Sequence, residues 1–156
     1  MQTRKFTWEE ISRLNHKIAK NIKNGYNPDV IIAIQRGGFI PAVNLSHLLG
    51  VRDIRPLHVK RTLSDDVMSE KVKPAIQGKQ SLGNIKGKNV LIVDDIVGSG
   101  ETIDIVQKFI INKGAKEIRT AIILINDTNL NKSEKNPIID FWGKKINAWA
   151  IFPWEE

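Results

Sequence analysis

Two short runs of uninterrupted apolar residues restrict the fold of this chain more than any other feature. Residues 30–34 and 90–93 are each of strand length, and each leads into a turn with glycines and then into a segment of helical periodicity. A strand without alternating polar residues is covered on both faces, which is typical of parallel sheets. The connections are also long enough to cross over between parallel strands. The pattern therefore predicts an α/β fold, with an open, twisted parallel sheet and helices on both faces.

The flanking segments extend this pattern. Thr7 and Glu10 form a capping box, which predicts the start of a helix that Gly25 ends. Further strands are predicted at 54–59, 118–125, 138–142 and 148–152, and further helices from about Pro41 to Gly50 and from about Ile103 to Gly114. The polar stretch at about 60–88 is long for a plain connection and is expected to form a mobile flap. With 156 residues and no internal repeat, the chain is expected to be a single domain, 1–156.

The charge of the chain narrows the choice of partner. The net charge is +7, from 24 Lys and Arg against 17 Asp and Glu, which fits an anionic ligand. The lysines are scattered, however, and aromatic residues do not alternate with them as a nucleic-acid platform requires. A small polyphosphate is therefore favoured over nucleic acid. The chain has no cysteine, no run long enough to span a membrane and no apolar signal core at its start, so a cytoplasmic protein without a membrane partner is expected.

Two glycine-containing turns follow the two buried strands, at the edge where open parallel sheets bind their ligands. The first turn is 35–38 (QRGG) and the second is 94–102 (DDIVGSGET). In the second turn, Gly98 and Gly100 leave backbone N–H groups open to an anion, and neighbouring Ser and Thr hydroxyls add donors. The helix that follows directs its positive end to the same place. These features predict a binding site for a phosphate group.

Two acidic residues, Asp94 and Asp95, directly precede this turn. Carboxylates repel phosphate, but they accept hydrogen bonds from ribose hydroxyls and supply the hard oxygen ligands of Mg²⁺. An Asp pair at a strand end more often serves the turn itself, but an apolar strand, two acids and Gly-Ser-Gly-x-Thr together are far more specific. The string is not a P-loop, because no Lys follows the glycines, and Ile103 stands where a dinucleotide fingerprint has its third glycine. Phosphate, diol and metal together indicate a ribose phosphate.

Three segments resemble one enzyme family. Residues 90–102 (VLIVDDIVGSGET) are similar to the signature with which type I phosphoribosyltransferases bind 5-phosphoribosyl-1-pyrophosphate (PRPP). Residues 31–42 (IIAIQRGGFIPA) resemble the pyrophosphate loop of the small purine members, the xanthine-guanine and hypoxanthine type, and 148–156 (AWAIFPWEE) resemble the end of the same proteins. The resemblance implies Mg²⁺-dependent transfer of ribose 5-phosphate from PRPP to a nucleobase, a purine, with release of pyrophosphate, as in nucleotide salvage.

The resemblance also implies a role for each matching residue. The catalytic residues would be Arg36, Asp94 and Asp95. Pyrophosphate would be bound by Arg36, Gly37 and Gly38, and the 5′-phosphate by Ile96, Val97, Gly98, Ser99, Gly100, Glu101 and Thr102. Asp94 and Asp95 would face the ribose hydroxyls and hold Mg²⁺ directly or through water. The base would be bound by Asn126, Trp149 and Ala150, although a tryptophan in the core is the ordinary alternative for Trp149.

Larger parts of the molecule are implied as well. The segment 60–88 would close over the site, and 126–156 would form a hood over the base. A homo-oligomer, a dimer or a tetramer, is expected.

Two positions depart from the purine pattern. Gly98 stands where purine members commonly carry an Asp that handles the proton of the base, and Asn126 where a Lys commonly reads the 6-oxo group. Weak turnover of guanine and hypoxanthine is therefore predicted, with Asp127 or Asp104 as substitutes for the missing acid. Two alternatives stay open: a phosphoribosyltransferase for a different base, and a regulatory or non-catalytic module that only binds PRPP.

Overall fold

The computed structural model describes residues 2–60 and 73–156. The strands are β1 (Thr3–Lys5), β2 (Val30–Gln35), β3 (Ile54–Lys60), β4 (Ala75–Gln77), β5 (Asn89–Val97), β6 (Glu117–Asn126), β7 (Phe141–Ile146) and β8 (Trp149–Ile151). The helices are α1 (Trp8–Lys23), α2 (Phe39–Leu49), α3 (Glu101–Asn112) and α4 (Asp127–Asn131), with a short 3₁₀ helix at Lys79–Leu82.

Six strands form one sheet in the order β4-β3-β2-β5-β6-β7. All neighbours in it are parallel except β3 and β4, which are antiparallel. From β2 the chain first moves outward to β3 and later returns to the other side of β2 as β5, so the strand order reverses between β2 and β5. Ligands of open α/β sheets bind in the crevice at such a reversal. The predicted fold class is confirmed, and the two glycine turns both lie at this crevice.

Helices cover both faces of the sheet, as the uninterrupted apolar strands require. On one face, Ile32 of β2 and Ile92 of β5 pack with the α3 residues Ile103 and Val106. On the other face, the intervening residues of the same strands pack against α1 and α2; they are Ile31, Ala33, Leu91 and Val93. Alternate residues of each central strand therefore belong to different cores, and both sets are buried.

Local sequence signals define the helix ends. The Thr7 side chain accepts a hydrogen bond from the Glu10 amide at 3.2 Å, and the Glu10 carboxylate accepts one from the Thr7 amide at 2.9 Å. This is the predicted capping box, and the helix ends just before Gly25. Gly50 follows α2 with a φ of 70°, in the left-handed region where glycine carries no steric cost.

Three parts of the structure differ from the prediction. The strand predicted at 138–142 begins only at Phe141; just before it, the Asp140 carboxylate accepts a hydrogen bond from the Thr120 amide at 2.8 Å. The strand β1 and the short helix α4 were not predicted. Of the proposed flap, 61–72 lie outside the described residues, whereas 75–77 extend the sheet beside β3. Among the described residues, no helix has the length and apolar character needed to cross a membrane.

Candidate active site

The carboxyl ends of β2 and β5 open into a cavity of about 350 Å³. Eight of the predicted site residues line it: Gly37, Asp94, Asp95, Ile96, Val97, Gly98, Gly100 and Thr102. The remaining lining residues, Ile34, Gln35, Val59 and Ile103, were not predicted. The cavity therefore joins the end of the first glycine turn, the acid pair and the second glycine turn in one space.

The first turn enters the cavity from β2. The peptide bond between Gln35 and Arg36 is cis. The Arg36 side chain is exposed, and no ion pair involves it among the described residues. Gly38 is buried and directly precedes α2 as its N-cap. This turn thus presents a cation to solvent beside the cavity while its glycines stay close to the sheet.

Gly38 lies too close to the sheet for any side chain. A Cβ atom there would stand 2.5 Å from the Val93 carbonyl oxygen and 2.6 Å from that of Ile34. We expect Gly38→Ala to lower the free energy of unfolding by about 1–3 kcal/mol, because backbone cannot yield as a flexible side chain can. Thermal melts check this, with Gly25→Ala as the control, since a Cβ at Gly25 meets none of the described residues within 4 Å. Equal melting temperatures for the two variants would contradict the packing argument.

The first turn also approaches the acid pair directly. A Cβ on Gly37 would overlap the carboxylate of Asp95. The glycine at this position therefore makes room for the acid, and the two turns meet at Gly37 and Asp95. The sequence places these residues 58 positions apart, and only the pairing of β2 with β5 brings them together.

The two carboxylates are held by the backbone that follows them. Oδ1 of Asp94 accepts a hydrogen bond from the Asp95 amide at 2.9 Å, and Oδ1 of Asp95 accepts one from the Ile96 amide at 2.8 Å. Burial raises the pKa of Asp95, although hydrogen bonds from Asp94 and from the Ile96 amide lower it, and the negative charge of Glu155 raises it further. A buried acid whose charge is disfavoured is suited to a cationic or hydroxyl-bearing ligand that would stabilise that charge.

The raised pKa of Asp95 predicts a pH-dependent effect on stability. The folded protein holds the Asp95 proton more tightly than the unfolded chain, so Asp95 makes folding less favourable as pH rises from its ordinary pKa of 3.8 through the raised value. In buffer with EDTA, we expect Asp95→Asn to melt at a higher temperature than the wild type at neutral pH. This advantage should shrink as the pH falls toward 3.8, and an advantage that grew on acidification would overturn the assignment.

The second turn contains two glycines and leads directly into the N-terminus of α3. Gly100 has a φ of 83° and directly precedes α3. A Cβ on Gly100 would stand 2.8 Å from two ring carbons of Pro137. Of the described residues other than its chain neighbours, one on Gly98 would meet only the side-chain amide nitrogen of Asn129, at 3.9 Å. Ser99 donates to the Glu101 carboxylate at 3.4 Å. The segment that contains α4 therefore covers this turn. It packs closely against Gly100 and leaves more room at Gly98.

The residues predicted to bind the base lie in and beside this covering segment. Asn126 is buried, and its side chain caps α4. Its Oδ1 accepts a hydrogen bond from the backbone amide of Asn129 at 3.1 Å, and its Nδ2 donates one to the Ala148 carbonyl at 3.4 Å. Ala150 is buried in the adjoining core, but Trp149 beside it is 58% exposed. Trp149 is therefore not a core tryptophan. None of the three lines the cavity, so their roles in base binding stay predictions.

Comparison with known proteins agrees with this geometry. A model of the phosphoribosyl transferase domain matches residues 7–156. The chain belongs to this family and is a phosphoribosyltransferase. Xanthine-guanine phosphoribosyltransferase from Gluconobacter oxydans is 28% identical over 152 residues, with 96% of this chain and 82% of that protein covered. The enzyme of the same name from Cereibacter sphaeroides is 25% identical over 156 residues, with 96% and 84% covered.

Two solved structures resemble this phosphoribosyltransferase over its whole length. A purine phosphoribosyltransferase from Pyrococcus horikoshii has a TM-score of 0.82 and 34% identity, covering 100% of this chain and 95% of its own. A hypothetical protein from Neisseria gonorrhoeae with bound ppGpp has a TM-score of 0.85 and 25% identity, covering 99% and 90%. Both share the sheet on which the cavity is built.

The two acids considered as substitutes at Gly98 are engaged elsewhere. Asp104 pairs with Lys108 at 2.9 Å and with Lys135 at 3.6 Å, and the hydrogen bond from Lys108 lowers its pKa. Asp127 pairs with Lys145 at 3.3 Å. A carboxylate whose pKa is lowered is a poor proton acceptor, so Asp104 is unsuited to the role proposed for it.

The acid pair of this phosphoribosyltransferase fits a magnesium ion only together with its substrate. Among residues 2–60 and 73–156, no group of three or more His, Cys, Asp or Glu side chains is arranged to hold a metal. Mg²⁺ usually takes one or two carboxylates and completes its shell with water and substrate phosphates. The buried Asp94 and the half-buried Asp95, beside an open cavity, meet that requirement.

Four cavity residues were not predicted from the sequence, because nothing in their residue types indicates a binding site. Ile34 and Ile103 read as core positions and are also buried in the structure. Val59 belongs to the strand β3, and Gln35 precedes the loop arginine. The register of β3 against β2, which pairs Gln35 with His58, could have located Val59 at the same edge.

Proposed function

We propose that this phosphoribosyltransferase transfers ribose 5-phosphate from PRPP to a purine base in nucleotide salvage, with release of pyrophosphate. The observation that carries the proposal is the junction of Gly37 with the Asp95 carboxylate in one cavity. PRPP carries a pyrophosphate and two free hydroxyls on the same ribose, and the junction offers a pyrophosphate loop and an acid pair side by side. The purine names of the relatives support the choice of base.

The three parts of PRPP would occupy three parts of the cavity. The 5′-phosphate would bind at 96–102, where Gly98 and Gly100 expose backbone beside the N-terminus of α3. The ribose hydroxyls would donate to Asp94 and Asp95. Pyrophosphate would lie against the first turn, with the exposed Arg36 as its cation. Because Gly38 and Gly100 are closely packed against their surroundings, the two turns would be positioned before the substrate arrives.

A magnesium ion fits the same arrangement. Asp94 and Asp95 would hold it directly or through water, and when bound it would neutralise negative charge on pyrophosphate. Asp95 would then lose its proton more readily than in the protein alone, because a nearby cation stabilises the carboxylate. The hydrogen bonds from the amides of Asp95 and Ile96 would keep both carboxylates directed to the ligand.

The reaction would be a displacement at ribose C1. The N9 atom of the base forms a bond to C1 as the bond from C1 to the pyrophosphate oxygen breaks, and the electron pair of that bond leaves with pyrophosphate. The proton displaced from the imidazole ring of the base passes to pyrophosphate oxygen or to water. Arg36 and the loop amides would stabilise the charge that develops on the leaving group, which is electrostatic catalysis by groups already in place.

The surrounding parts would assist the site. The C-terminal segment 126–156 would form the hood over the base, with the exposed face of Trp149 available for stacking. Part of the proposed flap lies outside the described residues. We also expect a homo-oligomer, a dimer or a tetramer.

One assay tests the proposal. The protein is incubated with PRPP and Mg²⁺ and with each of a panel of purines, pyrimidines and nicotinamide, and release of pyrophosphate is followed against samples with EDTA. Release that depends on a purine and on Mg²⁺ is expected. Release with a pyrimidine or nicotinamide alone would replace the purine assignment by a different base.

A binding module that does not transfer the ribose is the second candidate. Gly98 cannot accept a proton, and a structure of similar fold was solved with ppGpp bound. Calorimetry with PRPP and with ppGpp separates the two candidates, because a binding module would take up one of these ligands without releasing pyrophosphate for any base.

A further inference from the structure

The connection between α4 and β7, residues 132–140, packs against the back of the second glycine turn. A Cβ on Gly100 would stand 2.8 Å from the Cγ and Cδ atoms of Pro137 in this connection, and 3.3 Å from a methyl carbon of Leu130 in α4. Gly100 also lines the cavity. One side of this glycine therefore faces the ligand space, and its other side lies against a proline ring.

Contacts along α3 hold the α4–β7 connection in this place. The Lys135 ammonium pairs with the Asp104 carboxylate at 3.6 Å, and the Gln107 side-chain amide donates to the Ile138 carbonyl at 2.7 Å. Gly100, Asp104 and Gln107 are spaced by four and three residues, so they lie along one side of α3. The connection therefore follows that side of the helix and meets the glycine turn at its start.

The same connection is also fixed to the sheet. The Gln107 amide donates a further hydrogen bond to the hydroxyl of the buried Thr120 in β6, at 3.0 Å. The Asp140 carboxylate accepts from the Thr120 amide at 2.8 Å, and the Asp140 amide donates to the Thr120 carbonyl at 3.0 Å. Ile139 packs against the core on the α3 face of the sheet. Pro137 is therefore carried by backbone that is tied to both α3 and β6.

The glycines of the turn let an anion approach the backbone, but they also make the turn flexible. Glycine has access to more backbone conformations than any other residue, so fixing it costs more entropy. Gly98 has room around it, whereas Gly100, with a φ of 83°, is restricted by Pro137. The proline ring is itself rigid. A turn that is already held in one conformation binds its ligand without paying that entropy at the moment of binding.

We propose that Pro137 is a positioning residue for the 5′-phosphate. Its ring keeps Gly100 in the left-handed conformation in which the turn leads into the N-terminus of α3 beside the cavity. The inference rests on the proposed binding of the 5′-phosphate at 96–102 and adds a residue that does not touch the ligand. Pyrophosphate is assigned to the first turn, so only ligands that carry the 5′-phosphate should depend on Pro137.

The test compares a ligand that carries the 5′-phosphate with one that lacks it. Calorimetry in Mg²⁺ buffer measures the affinity of the wild type, Pro137→Ala and the control Ile138→Ala for PRPP and for pyrophosphate. Ile138 is the next residue in the connection, and its side chain is 71% exposed. We expect Pro137→Ala to bind PRPP about fivefold or more weakly, as the ordering of one backbone residue costs, and to bind pyrophosphate as the wild type does. The control should match the wild type with both ligands.

A second variant loosens the connection without changing Pro137. Gln107→Glu keeps the length of the side chain but replaces the donor by an acceptor, which repels the Ile138 carbonyl. It should also weaken the binding of PRPP and leave that of pyrophosphate unchanged. Circular dichroism and thermal melts show whether each variant is folded, and if Pro137→Ala is not, Gln107→Glu decides.

The two ligands also separate this inference from the proposed function. Equal PRPP affinity in the wild type and both variants would overturn the inference and leave the transfer reaction untouched. An equal weakening of PRPP and pyrophosphate would overturn it as well, because that result indicates a general disturbance of the site. A wild type that bound PRPP no better than pyrophosphate would refute the 5′-phosphate site and the inference together. If PRPP binding shows the selective loss but no base supports turnover, the transfer fails and the role of Pro137 stands.

Discussion

The double variant Asp94→Asn/Asp95→Asn is expected to lose Mg²⁺-dependent binding of PRPP and to lower kcat/KM by about 10³-fold or more. An amide is neutral, so it neither holds a magnesium ion nor stabilises the ribose hydroxyls as a carboxylate does. The fold should survive, because Asn oxygens can accept the same hydrogen bonds from the amides of Asp95 and Ile96. Calorimetry with PRPP, with and without Mg²⁺, measures the loss.

A matched control separates the role of these acids from a general loss of charge. Asp29 accepts a hydrogen bond from the Asn89 amide at 2.8 Å and lies before β2, at the opposite end of that strand from the cavity. Asp29→Asn should bind PRPP as the wild type does. If the double variant still bound PRPP as tightly as this control, the carboxylates would not serve the ligand.

Features of this structure that depend on neighbours in sequence could be predicted, whereas those that depend on distant parts of the chain could not. The capping box at Thr7 and Glu10 needs only neighbours in sequence, and the buried strands are indicated by their uninterrupted apolar residues, so both were predicted. The strand β1 was missed because Thr3–Lys5 has no apolar pattern and becomes a strand only by pairing with Trp149–Ile151 at the other end of the chain. Local sequence carries no signal for such a distant pairing.

The site shows the same division. The glycines, the acids and the arginine could be identified as types, because phosphate, diol and metal each require particular groups. Their mutual distances could not, because the approach of Gly37 to Asp95 depends on the register of β2 against β5. Likewise the sequence could not tell an exposed Trp149 from a core tryptophan. Nor could it show that the Asn126 side chain caps α4.

The replacement Gly98→Asp tests whether the missing acid limits the use of 6-oxopurines. The position can accept a side chain, because its φ is not in the left-handed region and, in the part of the chain that the structure describes, a Cβ would meet only the side-chain amide nitrogen of Asn129, at 3.9 Å. A carboxylate there could take the proton that the imidazole ring of the base releases, and a general base supplies roughly 10²–10⁴ in rate. Turnover of guanine and hypoxanthine should therefore rise by about tenfold or more.

The neutral isostere Gly98→Asn is the control for this experiment. It fills the same space without a proton acceptor, so it should not raise guanine turnover, whereas a purely steric effect would appear in both variants. PRPP binding should be retained in each, since the 5′-phosphate is expected to be bound mainly by backbone groups of 96–102. A wild-type kcat/KM for guanine or hypoxanthine already within about 10⁴–10⁸ M⁻¹s⁻¹ would contradict the idea that the acid is missed. The proton would then have to leave by a path that does not involve position 98.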